Sequence, residues 1–472
     1  MKFDYVIAGG GSAGCALAAR LAENSNISVC LIEAGGRGRE LFIKMPAGNG
    51  FVFGNPKLDW GYSTVPQKSL DNRSIYLARG KALGGSSIVN GMMYMRGVPA
   101  DYDQWRQSGL SGWSYADLLP YFKRAEGAKH RDGPYHGTNG PLKIEESVNF
   151  GVIDKAFIKA AIAAGHTQLN DFNAYDRTGV GRSDSTVSRG VRQSSAIAYL
   201  KKRFKNLKVL THRHISKIVF DHKRAIGIET TNGEFIQARH EVIVCQGAFG
   251  TPHLLMLSGL GPADHLISHG INPIVNLPGV GENLADHVDI PMQYASDRMD
   301  LSHARFQRLD KAAGLMGRWL VNGSGPGGGA LFSSILFHAF DDPKQPELQV
   351  FMTPMIFDEN FKDGQKEISP LLHRIGRRLL VRGRAIARSG IKIDINLERP
   401  KSLGTVRLAN SDPLISPLID PNYLSDQQDL DDMVKGVRVM SEIMSKPEIA
   451  QYHKAVYYTH MTLPTTTYVL SS

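Results

Sequence analysis

The chain opens on an apolar run, Tyr5-Val6-Ile7-Ala8, and reaches a second at Ile27 to Ile32; between them Leu17 and Leu21 stand one helical turn apart. Short continuous apolar runs fit strands buried on both faces, and the spacing between them fits a helix over Ala13 to Glu23. Strand, helix and strand in that order predict a βαβ unit. From Phe51 to Asp132, Gly, Pro and aromatic residues are frequent and no period holds, which predicts loops and short helices. Val209, Ile215, Ile218, Val219, Ile226 and Ile228, separated by turn residues, predict strands across Leu207 to Val244 that return the chain to the first sheet just before Gly247. Residues of roughly 150–205 and 290–410 carry mixed strand patterns, including Glu347 to Met352 and Ile391 to Leu397, and predict a separate antiparallel sheet. Leu430, Met433, Val434, Val437, Met440 and Met444 recur at helical spacing until Pro447 stops them.

A chain of 472 residues exceeds what one hydrophobic core supports, so two lobes are expected. The fold class is α/β: a Rossmann-like lobe from residues 1–150 and 206–290, and a second lobe with an antiparallel sheet and flanking helices from 151–205 and 291–410. Residues 411–472 begin a C-terminal segment. No stretch approaches the ~20 uncharged apolar residues of a membrane span. The first strand begins at Phe3, leaving no room for a secretory leader, so cytoplasmic residence is expected. Cys15, Cys30 and Cys245 fall inside apolar patterns and read as buried thiols. The net charge of +10 is not interleaved with aromatic residues as in nucleic-acid modules, so a nucleic-acid partner is set aside. The sixteen histidines show no ligand spacing with carboxylates or thiols, and no metal site is expected.

Chemistry gathers at two glycine turns. Gly9-Gly10-Gly11-Ser12-Ala13-Gly14 joins the first strand to the first helix, where glycines let the backbone approach a pyrophosphate lying on free N–H groups. Gly9, Gly11 and Gly14 are the glycines of that fingerprint, with Ser12 and Ala13 between. Glu33, followed by Ala34, stands nineteen residues past Gly14 at a strand end, placed to accept hydrogen bonds from an adenosine ribose. This fits FAD and NAD alike. Leu83-Gly84-Gly85-Ser86-Ser87 offers a second close-approach turn with hydroxyl donors.

The stretch Arg79 to Gly97, RGKALGGSSIVNGMMYMRG, with Asp101 to Trp105, Trp113-Ser114-Tyr115 and Leu119 to Phe122, resembles the first signature of the glucose-methanol-choline (GMC) oxidoreductases. Gly247 to Gly261, GAFGTPHLLMLSGLG, resembles the second, and Pro278 to Leu284, Asp286-His287, Arg399 to Gly404 and Asp420 to Leu424 carry the likeness over nearly the whole chain. The resemblance implies FAD, gripped by both glycine turns, with Asn90, Gly91, Met92 and Met93 along the isoalloxazine edge, Ile215 at the adenine, and Gly247-Ala248 close to the flat cofactor. Val89 stands where some members carry the histidine that bonds FAD covalently, which implies noncovalent FAD. The implied reaction is oxidation of an alcohol CH–OH to aldehyde or ketone by hydride transfer to flavin N5, with O2 or a quinone as electron acceptor.

The family's catalytic histidine lies in a Tyr-His-x-x-Gly-Thr context, assisted by a second His or Asn near the C-terminus. Tyr452-His453 lacks the Gly-Thr and His460 has no match, so both read as surface histidines, the catalytic residues are unassigned, and the chain reads as truncated relative to the family. A catalytically silent or fragmentary flavin-binding protein is the alternative. Asp286 and His287 are expected to point apart, and Asp101 and Asp103 to begin a solvated helix. Leu371 to Ile386 reads as a basic amphipathic helix, suited either to the second lobe's surface or to peripheral contact with an anionic membrane.

Overall fold

The computed structural model describes residues 1–358, 386–454 and 456–457. The predicted strand, helix and strand form as Lys2–Ala8, Ser12–Leu21 and Val29–Ile32, with Val6, Ile7, Ala8 and all four residues of the second strand buried. They belong to a six-stranded sheet in the order Leu207–Leu210, Val29–Ile32, Lys2–Ala8, Phe235–Val244, Arg224–Thr230, Ile215–Asp221. The first four strands are parallel, and the last three form an antiparallel meander. The stretch after Leu207 therefore divides: its first strand adds to one edge and the rest to the other.

The second sheet runs Val456–Tyr457, Asp289–Ala295, Gly390–Leu397, Leu348–Thr353, Ser334–His338, Gly179–Arg182, Gln168–Leu169. Only the last pair is parallel. Alternation gives it two unlike faces. One carries Met292, Tyr294, Ile391, Ile393, Ile395, Val350 and Met352 and packs under the helices Val152–Ala163 and Gln427–Ser445 in the largest core cluster. The other carries Ile335, Phe337 and Phe351, against which Met93 and Met95 pack.

Strand patterns were expected across residues 150–205, yet Val152–Ala163 is a helix. Ile153, Ala156, Phe157, Ala160 and Ala161 recur at three- and four-residue steps and bury one face, a periodicity the mixed composition obscured. The Leu430 to Met444 pattern forms as Gln427–Ser445, capped by Asp426 accepting from the Gln428 N–H at 2.9 Å. Cys15 and Cys30 are buried; Cys245 is only half-buried, because it lies where the chain leaves the sheet beside the glycine turns. Leu371 to Ile386 lies outside the described residues except for Ile386, which starts the short strand Ile386–Arg388. Among the described residues no helix is long and apolar enough to cross a membrane.

Candidate functional site

The first helix begins at Ser12 with Gly11 at its N-cap and no side-chain cap, so the N–H groups of Ser12, Ala13 and Gly14 lack intrahelical acceptors. Helix ends of this kind favour anions. A Cβ at Gly14 would run into the Gly9 carbonyl, and one at Gly9 would come within 2.5 Å of the Cys245 carbonyl oxygen, so both glycines are fixed by close packing. Gly11 differs. A Cβ there would meet nothing closer than the Cys245 carbonyl oxygen and Gly85 Cα, both at 3.8 Å, which leaves open space at the uncapped helix end.

The second turn packs directly on the first. Gly84 donates its N–H to the Gly10 carbonyl at 2.8 Å, and a Cβ on Gly85 would stand 2.6 Å from Gly11 Cα. Gly84 holds φ at +103°, a conformation glycine adopts without strain. Buried Leu83 packs over Gly10, Ser86 Oγ accepts from the Gly80 N–H at 3.4 Å, and Ser87 Oγ donates to the Gly84 carbonyl at 2.5 Å. Two turns more than seventy residues apart thus form one cradle.

Glu33, with Ala34 after it, closes the cradle's far side. Its buried carboxylate accepts from the Gly10 N–H at 3.1 Å and the Gly35 N–H at 2.8 Å. Burial pushes this carboxyl up, and the N–H groups of Gly35 and Gly10 pull against that shift. The residue expected to meet a ribose also organises the turn. Leu210 to Arg213 runs alongside, with Arg213 N–H donating to the Glu33 carbonyl at 2.9 Å, and leads into Ile215, whose side chain is buried core. Opposite, Cys245 N–H donates to the Ala8 carbonyl at 2.7 Å, and Gly247-Ala248 then opens the helix Gly247–Leu257, also without a side-chain cap. A cavity of about 610 Å3 lies here, lined by Gly247, Ala248, Thr251, Asn283, Leu284 and Val406.

Beyond the second turn, Asn90 to Met93 crosses toward the seven-stranded sheet. The Asn90 carbonyl accepts from Arg192 Nη1 at 2.8 Å and Asn49 Nδ2 at 3.1 Å, and the Met92 carbonyl from the Thr186 N–H at 2.7 Å. In a planar trans peptide the N–H points opposite the C=O, so the Gly91 and Met93 N–H groups face away from these anchors. Among the described residues neither N–H has an acceptor. Met92 holds φ at +65° and turns its side chain into a small core with Val187 and Ala330, so only its backbone is available at the edge.

Met93 and Met95 pack on a cluster of Phe172, Phe332, Ile335, Phe337 and Phe351 on the sheet's second face. Beside Phe351 that face is polar. Register places Gln293, Lys392 and Thr353 in one row, Pro291, Asp394 and Phe351 in the next, and Asp289, Asn396 and Gln349 in a third. Lys392 Nζ lies 2.6 Å from Asp394 Oδ1, a buried ion pair. Asp289 Oδ1, Thr353 Oγ1 and Asn396 Nδ2 are buried without hydrogen-bond partners among the described residues. Burial, then the Asp394 charge, push the Asp289 carboxyl well up. The alternation of Lys392, Asp394 and Asn396 with Ile393 and Ile395 marks one strand with a polar face, but only pairing brings Asp289, Gln293, Gln349 and Thr353 onto that face.

A second buried network fixes the segment after Met93. Arg96 pairs with Glu126 at 2.8 Å, Glu126 meets His136 Nδ1 at 3.0 Å, and His136 Nε2 meets Asp171 at 2.7 Å. Burial opposes the imidazolium, but the hydrogen bonds it donates to Asp171 and Glu126 outweigh that and hold His136 up to about 9.

Asp286 and His287 do point apart: Asp286 accepts from Tyr423 Oη at 2.6 Å, and His287 approaches Glu398 at 3.6 Å. Asp101 sits in the first turn of the helix Pro99–Gln107 and accepts from the Val98 N–H at 2.8 Å, while Asp103 accepts from the Tyr115 N–H at 3.2 Å. His453 is not a free surface residue. It is half-buried against Tyr294, with Nε2 2.9 Å from the Met444 carbonyl, because the chain crosses the sheet edge there. His460 lies outside the described residues. Among the described residues no three His, Cys, Asp or Glu side chains are grouped to hold a metal.

The N-terminal GMC oxidoreductase profile matches residues 3–289, and the C-terminal GMC oxidoreductase profile matches residues 400–469. The oxygen-dependent choline dehydrogenase of Photobacterium profundum is 35% identical over 459 residues, covering 95% of this chain and 77% of the relative. That of Brucella suis is 36% identical over 461 residues, covering 96% and 80%. Among solved structures, pyridoxine 4-oxidase from Mesorbium loti superposes with a TM-score of 0.81 at 28% identity, covering 97% of this chain and 83% of that one. Formate oxidase from Aspergillus oryzae gives 0.84 at 26%, covering 98% and 84%.

Proposed function

Since this chain belongs to the GMC oxidoreductase family, whose members bind FAD, we propose that it oxidises the CH–OH group of a small polar alcohol to an aldehyde or ketone. The observation that carries this reading is the contact between the two glycine turns, Gly84 N–H on the Gly10 carbonyl at 2.8 Å. That contact leaves the uncapped helix end at Ser12 and the open space at Gly11 facing the same cradle, which suits the pyrophosphate of FAD. Bound FAD supplies a two-electron acceptor for hydride at N5.

The chain's own residues do the rest. Ser12 to Gly14 and Gly84 to Ser86 hold the pyrophosphate and ribityl chain, Glu33 meets the ribose, and Gly91 and Met93 offer N–H donors toward the isoalloxazine, where charge develops. Val89 is buried with Ile43, Val52 and Ile88 and has no nucleophilic atom, which favours noncovalent FAD. The polar patch on the sheet, with unpaired atoms on Asp289, Thr353 and Asn396 beside Phe351, suits recognition of a substrate bearing hydroxyl or other hydrogen-bonding groups. Electrons then pass to O2 or a quinone; similarity to the oxygen-dependent choline dehydrogenases favours O2. The test is anaerobic mixing of FAD-loaded protein with a panel of alcohols including choline, polyols and aryl alcohols. Bleaching of the flavin band by some of them supports the reading; a folded, FAD-loaded protein that no alcohol reduces would remove it.

A further inference from the structure

Arg192 is fully buried, and among the described residues every partner it has is neutral. Its guanidinium donates to the carbonyls of Ile43 at 3.2 Å, Ser87 at 3.4 Å and Asn90 at 2.8 Å, to Asn90 Oδ1 at 3.0 Å, and to Asn49 Oδ1. Among the described residues no carboxylate pairs with it. Buried charges are ordinarily paired, because desolvating a lone ion costs several kcal/mol. These hydrogen bonds offset that cost without cancelling the charge, which is left to act on any negative charge that develops nearby.

The geometry shows how the charge would be felt. Arg192 grips the Asn90 carbonyl, and across the planar peptide the Gly91 N–H points the opposite way. A cation on the oxygen withdraws electron density from the peptide and strengthens that N–H as a donor, as in other chains of hydrogen bonds. In alcohol oxidation the carbon-bound hydrogen would leave with its bonding pair, one proton and two electrons, to the isoalloxazine as hydride while the hydroxyl proton leaves to a base and the carbonyl product forms, so the ring would gain one negative charge. Resting on the FAD reading above, we propose that Arg192 is a positioning residue: an uncompensated cation that acts through the Asn90–Gly91 peptide to stabilise the negative charge of the reduced flavin and raise its reduction potential.

The test uses FAD-loaded protein and reads the two-electron midpoint potential against reference dyes, with thermal unfolding and FAD affinity in parallel. Asn49→Asp is the decisive variant. It places a carboxylate on the guanidinium in a side chain of nearly the same shape while keeping Arg192. Its control is Asn49→Leu, which drops the same Nδ2 donor to the Asn90 carbonyl without adding charge and should lose less than half as much potential. For Asn49→Asp the expected result is at least a tenfold loss in the equilibrium constant for reduction, a drop of about 30 mV for a two-electron couple, in protein that still unfolds cooperatively and retains FAD. Arg192→Lys, which keeps the charge, should stay within about threefold of the parent (~14 mV). Arg192→Gln should fall with Asn49→Asp. An Asn49→Asp protein that is folded, FAD-loaded and at the parent potential would overturn the proposal. Parent protein that folds but retains no FAD would instead overturn the reading beneath it.

Discussion

Gly11→Ala separates fold from cofactor. Gly11 has φ −77° and ψ −160°, which alanine adopts readily, and the added methyl would meet protein atoms only at 3.8 Å. Less unfolded-chain entropy should leave the apoprotein unchanged or more stable by up to about 1 kcal/mol. The methyl, however, fills the space over the Ser12 and Ala13 N–H groups where the pyrophosphate would lie. Losing one charge-assisted hydrogen bond costs about 1.5–3 kcal/mol, or roughly 10- to 100-fold in affinity. Gly14→Ala is the contrast. Its methyl would strike the Gly9 carbonyl, so both fold and binding should suffer. The assay is FAD fluorescence quenching on apoprotein together with thermal unfolding of the same samples. A Gly11→Ala protein that binds FAD as tightly as its parent would refute the placement of the pyrophosphate.

Three further expectations follow from other parts of the structure. His136, held up to about 9 by Asp171 and Glu126 against an ordinary value near 6.5 in the unfolded chain, contributes stability that is fully present below about pH 6.5 and lost as pH rises through about 9. Denaturant midpoints across that window should fall by the equivalent of up to about 3 kcal/mol, and the fall should vanish in His136→Gln; an unchanged pH profile in that variant would contradict the pairing. Lys392→Met leaves the Asp394 carboxylate buried without its cation and should cost about 3 kcal/mol, most of it recovered in Lys392→Met with Asp394→Asn; equal losses in single and double variants would count against the pair. Acid precipitation should release all FAD into the supernatant, since Val89 offers no bond to it; flavin left in the pellet would refute noncovalent binding.

The elements that sequence revealed were those whose pattern is local. Tyr5 to Ala8, Glu347 to Met352 and Ile391 to Leu397 carry strand patterns and form strands, and Met433 to Met444 keeps one helical face against the sheet. The two glycine turns were legible because close backbone approach excludes side chains, a constraint written in single residues. Contacts set by long-range register were not. Nothing around Arg192 marks it as buried, and it reaches Asn49 and Asn90 across more than a hundred residues of chain. A retrospective signal is the neighbouring Ser194, which caps the helix Ser195–Tyr199 and so fixes where Arg192 enters the interior. The patch of Asp289, Lys392 and Asp394 likewise exists only once two strands pair. The helix Val152–Ala163 was missed because its core positions are small alanines as often as large apolar residues.

The most direct test is the FAD content of purified, FAD-saturated protein after desalting, measured on material whose circular dichroism and unfolding transition establish the fold. The expected result is FAD equimolar with the chain in the parent and a large loss in Gly11→Ala at unchanged fold. Folded parent protein that emerges colourless would contradict the cradle formed by Gly9 to Gly14 and Gly84 to Ser86.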